Sequence, residues 1–424
     1  MRRWRSAATA LVAAVAACVA GCAAPAGSTG VAVRAHSAQE AGAAPSAPSA
    51  PSGTPGPSGP GTATPSVSAS LSPSPSPKAL GPGEGSLTVL APRGYAEYGG
   101  YDPAVNWVKG FESESGCKVN LRYPPAPAEM DAMARRVPYD AIAAPPDVAG
   151  RLVAERRAAP INTSLLTHYD DIPEWLRELR PAAPGDGAEH EVYGVPYLWG
   201  WYATLTTGDV RGLDAASLYK EPGAVTLPDG PLSIADAALA LRLTRPSLGV
   251  GDPFALTPDQ LDAAVALLAE RRAEHTYWEE LIEPLQGLAG GAARLARTVP
   301  YQQDLLRRAG RKVRAVQDGE TTGWVDNWML AARPASPNCA YRWLDWIGGK
   351  DAQRQAAEWT GLAPANEKAC TGRAARVCYA YRMTDTGWLK KVRFAVRPSR
   401  ACGEDGGCTD YTEWVTRWRD LVAG

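Results

Sequence analysis

At 424 residues the chain is long enough for two or three domains with sizeable cores, which rules out a minimal peptide or a lone small module. Lys+Arg and Asp+Glu number 44 and 45, so the formal net charge of −1 lacks the basic footprint of a specific nucleic-acid binder. The 14 Trp and 16 Tyr stand against 3 Phe, and side chains that pair a flat apolar face with a polar handle suit binding surfaces as well as cores.

Arg2, Arg3 and Arg5 form a positive start, and Ala7 to Ala17 an apolar stretch too short to span a bilayer as a stable helix. The segment reads as an export signal. It ends in Val19-Ala20-Gly21-Cys22, which is similar to a bacterial lipobox, so residues 1–21 are the expected signal peptide and Cys22 the expected lipidation site. Two acyl chains on Cys22 would hold the mature protein on the outer face of the cell membrane. From there to residue 84 the chain is rich in Pro, Ser, Ala and Gly and has no Phe, Trp or Tyr. Such a stretch buries too little apolar surface to order itself, and 22–84 reads as a semi-extended tether or an inert spacer.

Cys18 leaves with the signal and Cys22 is taken by lipid, which leaves Cys117, Cys339, Cys370, Cys378, Cys402 and Cys408. An even number outside the cytosol argues for disulfides. Cys370/Cys378 and Cys402/Cys408 lie close in sequence, so local closure is the economical pairing, and Cys117 and Cys339 then pair by elimination. With no C-x-x-C and only 4 His, a metal site is not expected.

In the head, Leu87 to Ala91 is a strand, and Asp102-Pro103 offers an N-cap and first position for a helix carrying Val105, Val108 and Phe111. Cys117 to Tyr123 follows as a strand, Glu129 to Arg136 as a helix and Tyr139 to Ala143 as a strand, with Asp147 placed to cap the next helix. This is βαβαβ, the pattern of a parallel sheet. Thr257-Pro258-Asp259-Gln260 is a capping box that opens a helix with Leu261, Val265 and Leu268 on one face. Short strand-like runs return around Trp324, and helices follow from Asn338 to Ile347 and from Asp351 to Trp359. The expectation is α/β, in two lobes with discontinuous domains: 85–200 and 325–424 in lobe 1, 201–324 in lobe 2. Ligands of such sheets sit outside the strand ends, which between two lobes is a cleft.

The stretches Leu87-Thr-Val-Leu-Ala91, Gly94-Tyr-Ala-Glu-Tyr-Gly-Gly100, Val105-Asn-Trp-Val108, Gly194-Val-Pro196, Ile234-Ala-Asp-Ala-Ala-Leu239, Gly323-Trp324, Asn338-Cys-Ala-Tyr-Arg-Trp343 and Ala363-Pro-Ala-Asn366 resemble, in collinear order from Ser86 to Gly424, the extracellular solute-binding proteins of ABC transporters, spermidine/putrescine-binding type. The resemblance implies a type II periplasmic-binding-protein fold with crossover strands, a monomer that closes over a solute and delivers it to a membrane permease, with no cofactor and no catalysis. Missing G-x-S-x-G, H-E-x-x-H and P-loop spacings agree with a non-enzyme.

A polyamine needs carboxylates for its ammonium groups and aromatic faces along its methylenes. By that resemblance the loop after the first strand offers Tyr95, Glu97 and Tyr98, and the returning crossover offers Trp324 and Asp326, which strand alternation puts on one face. Asp229 in Leu227-Pro-Asp-Gly-Pro231 and Tyr301 complete the expected ligand set. Trp199 and Trp201 read equally as cleft lining or as packing, and Asp236 reads as structural or exposed. Arg93 stands where relatives tend to carry an aromatic, Trp201 to Pro228 looks shortened, and Arg297 to Gln302 departs from the family pattern. These departures leave open another small solute, or a divergent surface lipoprotein acting as sensor or adhesin.

Overall fold

The computed structural model describes residues 73–179, 181, 191–316, 319–402 and 406–423, all within one unit, Leu71–Gly424. The expected signal peptide, Cys22 and the tether up to residue 72 lie outside the described residues. In chain order the strands are β1 (Ser86–Leu90), β2 (Lys118–Arg122), β3 (Ala141–Ala144), β4 (Ala158–Ala159), β5 (Val195–Trp201), β6 (Ala203–Thr206), β7 (Val225–Pro228), β8 (His275–Trp278), β9 (Leu295–Thr298), β10 (Arg314–Ala315), β11 (Thr321–Ala331), β12 (Ala363–Pro364) and β13 (Val392–Phe394). They sort into two sheets. The larger runs β12-β5-β11-β3-β1-β2, with β4 and β13 also paired to β11; the smaller runs β10-β6-β9-β7-β8.

In the larger sheet β1 lies parallel to both β2 and β3, with Ser86 opposite Lys118 and Val89 opposite Ala141, as the βαβαβ reading expects. In the smaller sheet β7 is parallel to β8 and β9. All four positions of β3 and all four of β7 are buried, the continuous burial that parallel strands covered on both faces require. Each sheet and its helices make a lobe, and the fold is mixed α/β with two lobes. The chain passes from β5 to β6 across a single residue, Tyr202, and returns along β11.

Where short runs were expected near Trp324, β11 is one strand of 11 residues. It is flanked by β5 and β3, so it needs no polar alternation. At the crossover Gly323 faces Trp201 and Trp324 faces Gly200. A Cβ at Gly323 would lie 2.6 Å from Val392 Cγ1 and 2.7 Å from the Gly200 carbonyl oxygen. Because the second neighbour is backbone in a paired strand, Gly323→Ala is expected to destabilise the head by about 3 kcal/mol, read from denaturant melts; a loss under about 0.5 kcal/mol would show that the strands yield.

The capping box at Thr257 forms as expected, opening the helix Pro258–Ala269. Asp102 does not start a helix. Its carboxylate accepts from Ala104 N at 2.9 Å within a turn, and the helix begins later, at Val108. Nor does Asp147 cap its helix, Pro146–Ala154, whose N-cap is Pro145; its Oδ2 instead accepts from the Tyr411 hydroxyl at 2.7 Å.

The disulfides are Cys117–Cys339, Cys370–Cys378 and Cys402–Cys408, the expected pairing. The segment before β1 runs along the first lobe, with Ser74 N donating to Ala332 O at 2.7 Å and Gly81 N to Asn338 Oδ1 at 2.7 Å. The C-terminal helix, Tyr411–Ala423, corrects the assignment of 325–424 to one lobe. Its Trp414, Trp418 and Leu421 are buried in the core of the smaller sheet with Leu261, Leu268 and Ile234, because this amphipathic helix finds its apolar partner there. Among the described residues no helix is long and apolar enough to cross a membrane, and no group of three His, Cys, Asp or Glu is placed to hold a metal.

Candidate functional site

The loop after β1 and the middle of β11 meet at one carboxylate. Asp326, only 5% exposed, accepts on Oδ2 both the Tyr95 hydroxyl and, at 3.2 Å, Trp324 Nε1. Tyr95 is itself buried, and its carbonyl accepts from the Tyr197 hydroxyl at 3.0 Å, which fixes the loop. Burial pushes Asp326 up to about 7, against the two hydrogen bonds, with the charge of Asp147 adding to the rise. Burial, then the Asp326 carboxylate, holds the Tyr95 hydroxyl well above its ordinary range. Among the described residues no cation contributes to this shift, so the carboxyl is held without a countercharge.

Further aromatic rings follow from Trp324. The Tyr202 ring lies 4.8 Å from Trp324 with a tilt of 33°, and 6.3 Å from Trp278 of the other lobe. Trp278 Nε1 donates to Arg297 O at 2.8 Å, which orients its indole. Tyr381 is fully buried, and its hydroxyl has no hydrogen-bond partner among the described residues.

Of the seven ligand residues expected from sequence, Tyr95, Trp324 and Asp326 come together; the other four have engagements of their own. Glu97 is buried, and its Oε1 accepts from Gly94 N at 3.0 Å, with the Trp359 side chain a further donor. Burial raises its pKa. The Tyr98 hydroxyl donates to Val119 O on β2, and its side chain is 39% exposed. Asp229 is exposed at the end of β7 and accepts from Trp418 Nε1 at 2.8 Å. Tyr301 packs over Gly361, where an added Cβ would lie 2.9 Å from its Cδ1.

Trp199 and Trp201 are packing residues, both buried, with indoles donating to Pro364 O and Tyr381 O at 3.0 Å. Arg93 is exposed and stacks 5.0 Å over the Tyr123 ring. Asp236 is structural, paired to Arg297 in the core of the second lobe. Sequence reasoning missed Tyr202, Trp278 and Tyr381. The signal for Tyr202 was parity: it follows two tryptophans at strand spacing, so its ring turns from the face they pack.

A family model for bacterial extracellular solute-binding proteins matches residues 106–374. The structure aligns with a putative spermidine/putrescine ABC transporter from Listeria monocytogenes at a TM-score of 0.62 and 16% identity, over 80% of this chain and 98% of that one. With the Tp0655 (TpPotD) lipoprotein of Treponema pallidum the TM-score is 0.61 at 13% identity, over 80% and 100%. With the spermidine/putrescine substrate-binding protein PotD from Streptococcus pneumoniae, in complex with calcium and HEPES, it is 0.58 at 16%, over 80% and 97%. The likeness establishes the two-lobed periplasmic-binding-protein fold.

Proposed function

Because the chain belongs to the family of bacterial extracellular solute-binding proteins, a family of binding proteins rather than enzymes, we propose that it captures a small organic cation of polyamine type between its lobes and hands it to the permease of an ABC importer. The observation that carries this reading is Asp326, a buried carboxyl raised to about 7 and set among Tyr95, Trp324 and Tyr202. The carboxylate receives an ammonium group, and the aromatic faces cover the methylenes beside it. Tyr381 offers a hydroxyl that has no other partner among the described residues. Glu97, Tyr98, Asp229 and Tyr301 shape the surrounding loops. In this reading the protein works as a monomer, held to the membrane surface by lipid on Cys22 and lifted from it by the tether.

Calorimetry and melting of the purified protein against putrescine, spermidine, spermine, 4-aminobutyrate, betaine and small sugars test it. A solute present at 100 times its dissociation constant adds about 2.7 kcal/mol of stability. The pH dependence identifies the contact. An ammonium binds the ionised carboxyl, so affinity rises with pH through about 7, where Asp326 is half ionised, and levels off above it. Between pH 5.5 and pH 8 the gain is about thirtyfold. A zwitterion or sugar that shifts the melt while polyamines do not overturns the solute class; no binding across the panel turns the reading to a surface lipoprotein acting as sensor or adhesin.

A further inference from the structure

We infer that Arg297 is a positioning residue for the solute site, gripping both crossover strands from the second lobe so that Tyr202 is set against Trp324.

The Arg297 side chain is 3% exposed and forks onto Asp236, itself 5% exposed, with Nη2 at 2.6 Å from Oδ1 and Nε at 3.2 Å from Oδ2. Both partners belong to the second lobe, one on β9 and one on the helix Ile234–Thr244. From there the pair reaches the two strands that leave for the first lobe. Arg297 Nη1 donates to Thr204 Oγ1 of β6 at 3.2 Å, and Nη2 to Thr321 Oγ1 of β11 at 2.7 Å. Thr322 Oγ1 donates to Asp236 Oδ1 at 2.6 Å. Thr321 Oγ1 donates in turn to the Tyr202 carbonyl at 2.6 Å, and Tyr202 N donates to Thr322 O at 3.0 Å. The guanidinium also lies 5.8 Å from the Tyr202 ring, whose other aromatic neighbours are Trp324 and Trp278.

Stability alone is a poor reason for this arrangement, since apolar residues of similar volume commonly replace a buried ion pair without loss. Geometry is a better one. The fork holds Thr204, Thr321 and Thr322 in one frame, which fixes the Tyr202 main chain through its carbonyl and its amide, while the guanidinium 5.8 Å from the ring backs it on the side of the second lobe. Because Asp236 cancels the charge of Arg297, the grip adds no net positive charge near Asp326.

The test compares the parent protein with Arg297→Lys, which keeps the charge and loses the fork, and with the pair Arg297→Met and Asp236→Leu, which keeps the volume and loses the grip. The positioning readout is the near-ultraviolet circular dichroism of Trp324, taken as the signal that Trp324→Phe removes in each background. The second readout is putrescine and spermidine affinity. Melting temperature reports a merely structural role. The expected result is that Trp324 changes its signal and affinity falls at least tenfold in both backgrounds, while the apolar pair melts within a few degrees of the parent. Should the apolar pair fail to fold, Arg297→Lys carries the same two readouts. An unchanged Trp324 signal in a folded variant overturns the inference. The affinity arm rests on the proposed solute class and the spectroscopic arm does not, so a parent that binds no polyamine fails that reading alone.

Discussion

Asp326→Asn is expected to abolish capture of the proposed cationic solute and, at alkaline pH, to make the ligand-free protein more stable. The two effects have opposite signs because one carboxyl does both jobs. Burial raises it from 3.8 to about 7, so the folded state prefers the protonated form. A carboxyl raised on folding costs nothing below its unfolded value, and the cost grows as pH rises from there to the folded value. At pH 8 the cost is up to about 4 kcal/mol, each pKa unit being worth about 1.4 kcal/mol. Asparagine keeps an oxygen for the Tyr95 hydroxyl and Trp324 Nε1 and cannot ionise, so it removes that cost, about 4 kcal/mol at pH 8 and less than half as much, about 1.7 kcal/mol, at pH 5. The ammonium loses its countercharge, and affinity is expected to fall at least a hundredfold. Parallel melts at the two pH values with calorimetry at pH 8 check this. Retained affinity sinks the assignment of Asp326 as the cation's partner; a variant no more stable at pH 8 than at pH 5, relative to the parent, sinks the burial argument.

Removing Cys117–Cys339 is the second large effect. The bridge joins residues 222 apart, both fully buried, and links the start of β2 to the helix Pro337–Gly348. In the chain-entropy account a loop of that length is worth about 5 kcal/mol, against about 2–3 kcal/mol for loops the size of the two local bridges. Replacing Cys117 and Cys339 by alanine is therefore expected to lower the melting temperature by on the order of 10 °C. Reductant should lower the parent by about twice as much, and the alanine pair, which keeps the two local bridges, by about half of the parent's loss. Equal losses from this bridge and from Cys370–Cys378 would remove loop length as the cause.

Much of the fold was legible in the chain because its signals are local. The strands β1, β2 and β3, the capping box at Thr257 and the two local disulfides follow from patterns spanning a few residues. The start of the first helix was not legible: Asp102-Pro103 carries a start signal, yet the Asp102 carboxylate closes its own turn on Ala104. Asp147 looked like a cap because a helix does follow it, and its actual partner, Tyr411, lies 264 residues away. The site shows the same division. Trp324 and Asp326 share a strand face, which alternation predicts. Glu97 and Asp229 have the right chemistry in the right loops, and no local pattern announces that Gly94 and Trp418 occupy them. Tyr202 escaped notice because it belongs to no element.

The placement of the C-terminal helix bears on how opening and closing could be watched. The described chain enters along the first lobe, through the contacts of Ser74 and Gly81, and leaves from the second, where Arg272 donates to the carbonyls of Leu421 and Val422. A fluorescent donor joined ahead of residue 73 and an acceptor joined after residue 423 would thus ride on different lobes. Under the proposed capture between the lobes, their energy transfer would follow solute occupancy with no label placed inside the protein, and a pull applied between those two points would load the crossover strands directly.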